Sequence, residues 1–350
     1  MDQVTDTLKD TPPRNAGRAR RWVQPAAAYT LALAGLIWVF HDIHAETLFQ
    51  NMSSIRWGWV ALAILFDILN YVAQGWRWKL LLNPVGHTTV LRSTQAIYAG
   101  LFTNEVLPMR FGELVRAYLV SRWLPVPMAS VVPSMMVERW LDGVWMALAI
   151  GLTTILVPLP KDLLDAGDVL GVIVLAATAL FVFVVLRRPR AAPSPSNAQR
   201  KPPGLWRRVG SVVTSLAGGI QAIGLSRPFY LATIISLLML ALQALSFWLV
   251  MWAYGLRLPW WIGAVIFLIV HLGTALPNAP ANVGTYQFFT VVGLTLFGVD
   301  KTLATGFSVV VFILLTVPLW ILGFFALSQS GMTLRTIRSE IAKSRPAMNS

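Results

Sequence analysis

The 350-residue chain contains no cysteine. Disulfides, thiol nucleophiles and cysteine-ligated metals are therefore excluded. Charge is scarce as well: only 12% of residues are charged, 56% are hydrophobic, and the mean hydropathy is +0.64. A soluble domain carries about twice that share of charge. Catalytic signatures are also missing. There is no Walker A loop, no Asp-rich prenyl-diphosphate motif, no Gly-x-Ser-x-Gly and no His-Glu-x-x-His. The four histidines have no metal-ligand spacing with Asp or Glu. The chain is expected to be no enzyme and to need no metal or cofactor. The short alternating strands of a membrane β-barrel are absent from the pattern.

What remains is a series of continuous apolar runs. In hydrocarbon each backbone polar group needs an internal partner, so such runs imply helices. The expected fold class is all-α: a polytopic integral membrane protein with about six full spans and two Pro/Gly-broken re-entrant hairpins. The expected spans cover about 23–40, 57–82, 128–157, 169–186, 229–254 and 303–327. The first hairpin lies at about 92–125, broken at Pro108 and Gly112. The second lies at about 261–298, broken at Pro277, Pro280 and Gly284. The pieces of the first are too short and too charged to cross about 30 Å with ease, while 261–276 reads as a span that ends at the second break. Many of the 15 tryptophans, among them Trp57, Trp76, Trp78, Trp260 and Trp261, stand at run ends and suggest interfacial belts. Residues 41–56 are mixed and read as an interfacial helix, and 209–225 look amphipathic.

The net charge of +13 does not point to nucleic acid, because no basic recognition module is present. The basic residues gather in the tails 1–21 and 329–350 and in the linker 189–208, beside apolar spans; seven lie in 187–208. This is the positive-inside pattern, with attraction to anionic headgroups. It sets both termini on the cytoplasmic side and divides the chain into two membrane halves, 22–188 and 209–328. Arg20-Arg21 precede a run too long for a signal peptide, so an uncleaved first span is expected. Interrupted helices in corresponding positions of two halves suggest inverted repeats around a midplane site.

Two charged clusters stand out in this apolar chain. The first runs from Asn104 through Glu105, Pro108, Arg110, Gly112 and Glu113 to Arg116. In a helix Arg110, Glu113 and Arg116 would share roughly one face. Arg110 and Arg116 could grip a phosphate, and Glu113 could hold those arginines or meet a cationic headgroup. The other reading is an internal Arg–Glu–Arg lock. The second cluster is Glu138, Arg139 and Asp142, either a further wall of the same cavity or a salt bridge near a helix end. Charges at membrane depth usually face a cavity or a partner and mark a substrate path. The segment from Pro277 to Gln287 would form an opposing gate through Pro277, Pro280, Asn282, Gly284, Thr285 and Gln287, with Asn278 as a further polar group. Asp67, near Asn70 and Gln74, could relay a proton, pair with an arginine or stay neutral. His271, alone in its run, reads as a packing residue.

The pieces Asn104…Pro108-x-Arg110-x-Gly112-Glu113-x-x-Arg116, Glu138-Arg139-x-x-Asp142 and Pro280-x-x-x-Gly284-Thr285 resemble the membrane domain of the lysylphosphatidylglycerol synthase/flippase family. The resemblance covers about residues 22–328. Many members carry Pro-Gly where this chain has Pro280-Ala281, and Glu where it has Gln287. It implies a flippase-like protein, without the soluble aminoacyl-transferase module of some members, in a bacterial inner membrane. The implied activity is moving a phosphate-bearing lipid between leaflets. The expected partners are membrane lipids, and a homo-oligomer is compatible with the sequence. Two other classes remain open: a membrane enzyme or accessory subunit in lipid or glycolipid synthesis, and a structural protein that recruits partners through its basic linker.

Overall fold

A computed structural model describes residues 30, 33–34, 36–39, 55–106, 111–156, 161–186, 214, 216–224, 226–275 and 280–331. Every regular element among the described residues is helical. We number the long helices α1 (Trp57–Leu81), α2 (Val90–Val106), α3 (Gly112–Trp123), α4 (Val132–Leu156), α5 (Lys161–Leu186), α6 (Arg227–Tyr254), α7 (Trp260–Ala275), α8 (Thr285–Leu296) and α9 (Lys301–Gln329). Short 3-10 turns at Met128–Ser130 and Pro280–Asn282 precede α4 and α8. Stretches within 30–39 and 214–223 are also helical. The N-terminal tail, the basic linker, residues 332–350 of the C-terminal tail, most of the first span and most of the 41–56 segment lie outside the described residues.

Local chemistry sets the helix ends. Ser226 caps α6, its hydroxyl accepting from the Phe229 amide at 3.4 Å, and Pro228 occupies the first turn, where no intrahelical N–H is required. Gly255 ends the same helix at φ 100°, a left-handed conformation that glycine adopts without steric cost. Asp300 caps α9 by accepting from the amides of Thr302 and Leu303 at 2.9 and 3.2 Å. The helix expected to start near Val169 begins at Lys161 instead. The polar residues Asp162, Asp165 and Asp168 fall inside it, near the N-terminal end, where carboxylates are favourable.

Four helices among the described residues are long and apolar enough to cross a bilayer: Trp57–Leu81, Gly167–Leu186, Arg227–Tyr254 and Lys301–Gln329. The protein is a polytopic helical membrane protein. α4 has 25 residues, enough to span, and carries the charged cluster within its first half. On α5, Val172, Leu175 and Leu186 are exposed, as expected of a helix facing lipid. Trp57, Trp76 and Trp260 also point outward, fitting interfacial anchors. Trp78 does not: it is fully buried and belongs to the core, a correction to its placement in the belt.

The two halves repeat an order of lengths. Helices of 25, 17 and 12 residues (α1, α2, α3) are matched by helices of 28, 16 and 12 (α6, α7, α8). The corresponding long helices α1 and α6 pack against each other and run antiparallel. Arg56 donates its amide to the Ala253 carbonyl at 3.1 Å, the Ser246 hydroxyl donates to Ala63 at 2.9 Å, and Arg77 reaches Ser236 at 3.0 Å. Falling partner numbers along a rising chain define that direction. Antiparallel equivalents are what an inverted repeat requires. The short helices pair as α2 with α3 and α7 with α8, and the turn Pro280–Asn282 packs on α2, so the two hairpins meet. Twelve residues rise only about 18 Å, short of a bilayer core. Their length is that expected of re-entrant pieces.

Candidate functional site

The site starts from the polar face of α1. Asp67, Asn70, Gln74 and Arg77 are spaced three, four and three residues apart, which places them on one side of a helix. Asp67, Asn70 and Arg77 are buried. Arg77 stands near the end of this span, where a cation commonly flanks the membrane, yet it is fully buried. Its guanidinium donates to Asp142 at 2.5 Å, to Glu138 at 3.2 Å and to the Ser236 hydroxyl at 3.0 Å. The spacing from Asp67 was the signal that would have placed it in the site.

Glu138, on α4, is also fully buried and is the hub. One oxygen accepts from Arg77 and from the Gln74 amide at 3.3 Å. The other accepts from Arg116 of α3 at 2.7 Å. Arg116 is 3% exposed, and its guanidinium stacks 4.3 Å above the Trp78 ring, a cation–π contact that further stabilises the buried charge. Trp78 is itself held by donating to Ser134 at 3.1 Å. A cavity of about 290 Å³ lies beside that bond, lined by Ser134, Pro84, Val126, Pro133 and Ile223 among others, with no charged side chain in its wall.

Towards the surface the network changes character. Arg139 of α4 pairs with Glu113 of α3 at 3.0 Å and with Asp142 at 3.4 Å. These side chains are 50%, 40% and 35% exposed respectively. Three guanidinium groups and three carboxylates thus form one connected, electrically balanced set, sealed at Arg77, Arg116 and Glu138 and accessible at Arg139, Glu113 and Asp142. An isolated buried charge would cost several kcal/mol, and mutual pairing offsets that cost. The set sits about 9 Å along α4 and about 6 Å from the end of α1. It therefore lies nearer one end of the bundle than the midplane, where the sequence pattern had put it.

The sequence-selected residues are thus brought together in part. Glu113, Arg116, Glu138, Arg139 and Asp142 form the network, whereas Arg110 and Pro108 lie outside the described residues. Arg116 is not open to a ligand in this conformation: it is closed against Glu138 of α4, not against Glu113 as an internal lock of the first cluster would have it. Asn104 does not join the charges. Its side-chain oxygen accepts from the Gly112 amide at 2.7 Å and closes the break between α2 and α3. Gly112 is required there, because a Cβ would overlap the Gly100 carbonyl. Glu105, in the last turn of α2, makes no ion pair among the described residues.

At the second break Pro277 and Asn278 lie outside the described residues. Gln287 uses the same device as Asn104: its side-chain oxygen accepts from the Gly284 amide at 2.7 Å. That role needs an acceptor and no charge, so Gln serves where many members carry Glu. Gly284 has φ 86°, and Ala281 and Asn282 have φ 59° and 54° in the adjoining turn. Thr285 is buried, with its hydroxyl unpartnered among the described residues. Asp67 is buried deeper along α1, within electrostatic reach of Tyr71, Tyr98 and Tyr286, and makes no ion pair among the described residues. His271 packs on Phe267 with ring centroids 4.1 Å apart, the expected packing role.

Broken helix pairs and a partly accessible ion-pair network within apolar helices define a class: a polytopic helical membrane protein. The chain belongs to the family described as lysylphosphatidylglycerol synthase TM region, which it matches over residues 26–323. A comparison with curated proteins finds no match.

Proposed function

We propose that the protein moves a phosphate-bearing lipid headgroup between the leaflets of a bacterial inner membrane, with both termini cytoplasmic. The observation that carries this reading is the half-exposed Arg139 guanidinium, held by Glu113 and Asp142 at the mouth of a buried charge network. A guanidinium whose partners are exposed can exchange a carboxylate for a phosphate at small cost, because both are bidentate acceptors. The sealed Arg77–Glu138–Arg116 core supports a positioning role: it fixes α1, α3 and α4 relative to one another. With the basic segments cytoplasmic, the C-terminal end of α1 faces the cytoplasm, so the network receives headgroups from the inner leaflet. From there the polar face of α1 continues through Gln74 and Asn70 to Asp67, about 15 Å deeper. The turn at Pro280–Asn282, packed on α2, forms the gate beyond.

Reconstituted into vesicles, the wild-type protein should transfer a fluorescent phospholipid between leaflets, read by quenching the outer leaflet. Arg139→Gln should slow transfer at least about tenfold while leaving thermal stability nearly unchanged, since its ion pairs are solvent-screened. Unaltered transfer in that variant would remove Arg139 from the path. The synthase in the family name supports a second reading, an accessory role in lipid synthesis. Product formation in detergent micelles, where no leaflets exist, would favour it.

A further inference from the structure

We propose that the headgroup taken by this site is net-neutral and carries both signs, a phosphate with one ammonium, in preference to purely anionic or net-cationic headgroups. This inference rests on the lipid reading above and names its substrate class. The accessible rim offers one guanidinium, Arg139, beside two carboxylates, Glu113 and Asp142. The sealed part has the opposite imbalance, with Arg77 and Arg116 against Glu138. The whole set is balanced only as long as nothing charged is added.

A headgroup with both signs can enter by exchange. Its phosphate takes Arg139 from Glu113, its ammonium takes Glu113, and no charge is left without a partner. An anionic headgroup has no counterpart for the released Glu113 carboxylate. A headgroup with a second ammonium adds a cation beside three arginines. At this half-exposed rim each uncompensated charge costs far less than in the sealed part, yet about 1.4 kcal/mol is enough for a tenfold preference. Behind the rim, the buried part of the region also has donor capacity to spare. Three buried N–H donors of this region, Arg77 Nε, Arg116 Nε and Trp145 Nε1, have no acceptor among the described residues. Trp145 lies on the same face of α4 as Glu138 and Asp142, seven and three residues on. Buried donors of this kind call for acceptor oxygens.

The test is competitive binding to purified full-length protein in detergent, with short-chain phosphatidylethanolamine, phosphatidylglycerol and lysylphosphatidylglycerol as probes. Phosphatidylethanolamine should bind at least about tenfold more tightly than either of the others. Glu113→Gln should erase that margin over phosphatidylglycerol, and Glu113→Asp should largely restore it. Equal or tighter binding of phosphatidylglycerol or lysylphosphatidylglycerol by the wild type overturns the inference, whatever the variants do. An unchanged margin in a folded Glu113→Gln protein overturns it too. Water-soluble glycerophosphoethanolamine, run in parallel, identifies the source. Weak competition supports a lipid, while competition as strong as the short-chain lipid keeps the headgroup chemistry but overturns its lipid origin. The expected margin in binding without any leaflet transfer would sustain this inference and refute the transfer reading.

Discussion

Arg77 shows how a single charge is made tolerable inside this bundle. It is bonded to Glu138, Asp142 and Ser236, contributed by α4 and α6, and so ties three helices together. Removing it would leave Glu138 to Arg116 and the Gln74 amide, and Asp142 to Arg139 at 3.4 Å. Losing one partner of a buried pair typically costs about 3–5 kcal/mol. Arg77→Met should therefore lower the thermal unfolding temperature in detergent by far more than Arg139→Gln does, and equal effects would contradict the division into sealed and accessible parts. At this scale the sequence was readable wherever a charge stood among apolar neighbours: Glu113, Arg116, Glu138, Arg139 and Asp142 all declared themselves. Arg77 did not, because a cation near the end of a span looks the same as a positive-inside flank. Only its three- and four-residue spacing from Asp67 distinguishes the two. Asn104 was grouped with the site because an amide in a charged motif looks like a ligand-binding group; its actual work is capping.

The elements repeat one solution to one problem. Where a hairpin must break inside protein, a freed glycine amide needs an acceptor, and Asn104 and Gln287 supply it to Gly112 and Gly284. The prolines and glycines made both breaks legible in the sequence. The repeat of helix lengths was hidden, because no residue-level similarity accompanies it. One departure from the family pattern carries a physical cost. Ala281 sits at φ 59°, ψ 10°, where a Cβ crowds the following carbonyl. Ala281→Gly relieves that strain but loosens the unfolded chain. The net stabilisation should be about 0.5–1 kcal/mol, seen as a raised unfolding temperature. A drop on that substitution would show that the left-handed turn is absent in solution.

At the scale of the molecule, the antiparallel pairing of α1 with α6 gives the two halves opposite senses. Under the proposed orientation, with the basic segments cytoplasmic, the linker would face the cytoplasm and the connection before α5 the other side. The absence of native cysteine makes this directly accessible to labelling. Single cysteines at Ser196 and Asp162 should react with an impermeant maleimide from opposite faces of oriented vesicles, and reaction of both from one face would refute the inverted arrangement. The depth of the site, by contrast, was not legible in the sequence. Hydropathy places the charges within spans, but only the pairing of α1's last turns with α4's first turns puts them near one end.

Since the rim of the network is held to be the place where headgroups bind, the sharpest measurement is where a lipid touches the protein. A phospholipid with a photoactivatable group on its headgroup, cross-linked to the reconstituted wild-type protein, should label peptides of α3 and α4 around Glu113, Arg139 and Asp142, and Arg139→Gln should abolish that labelling. Cross-links confined to the lipid-facing surface of α5, unchanged by the substitution, would contradict it.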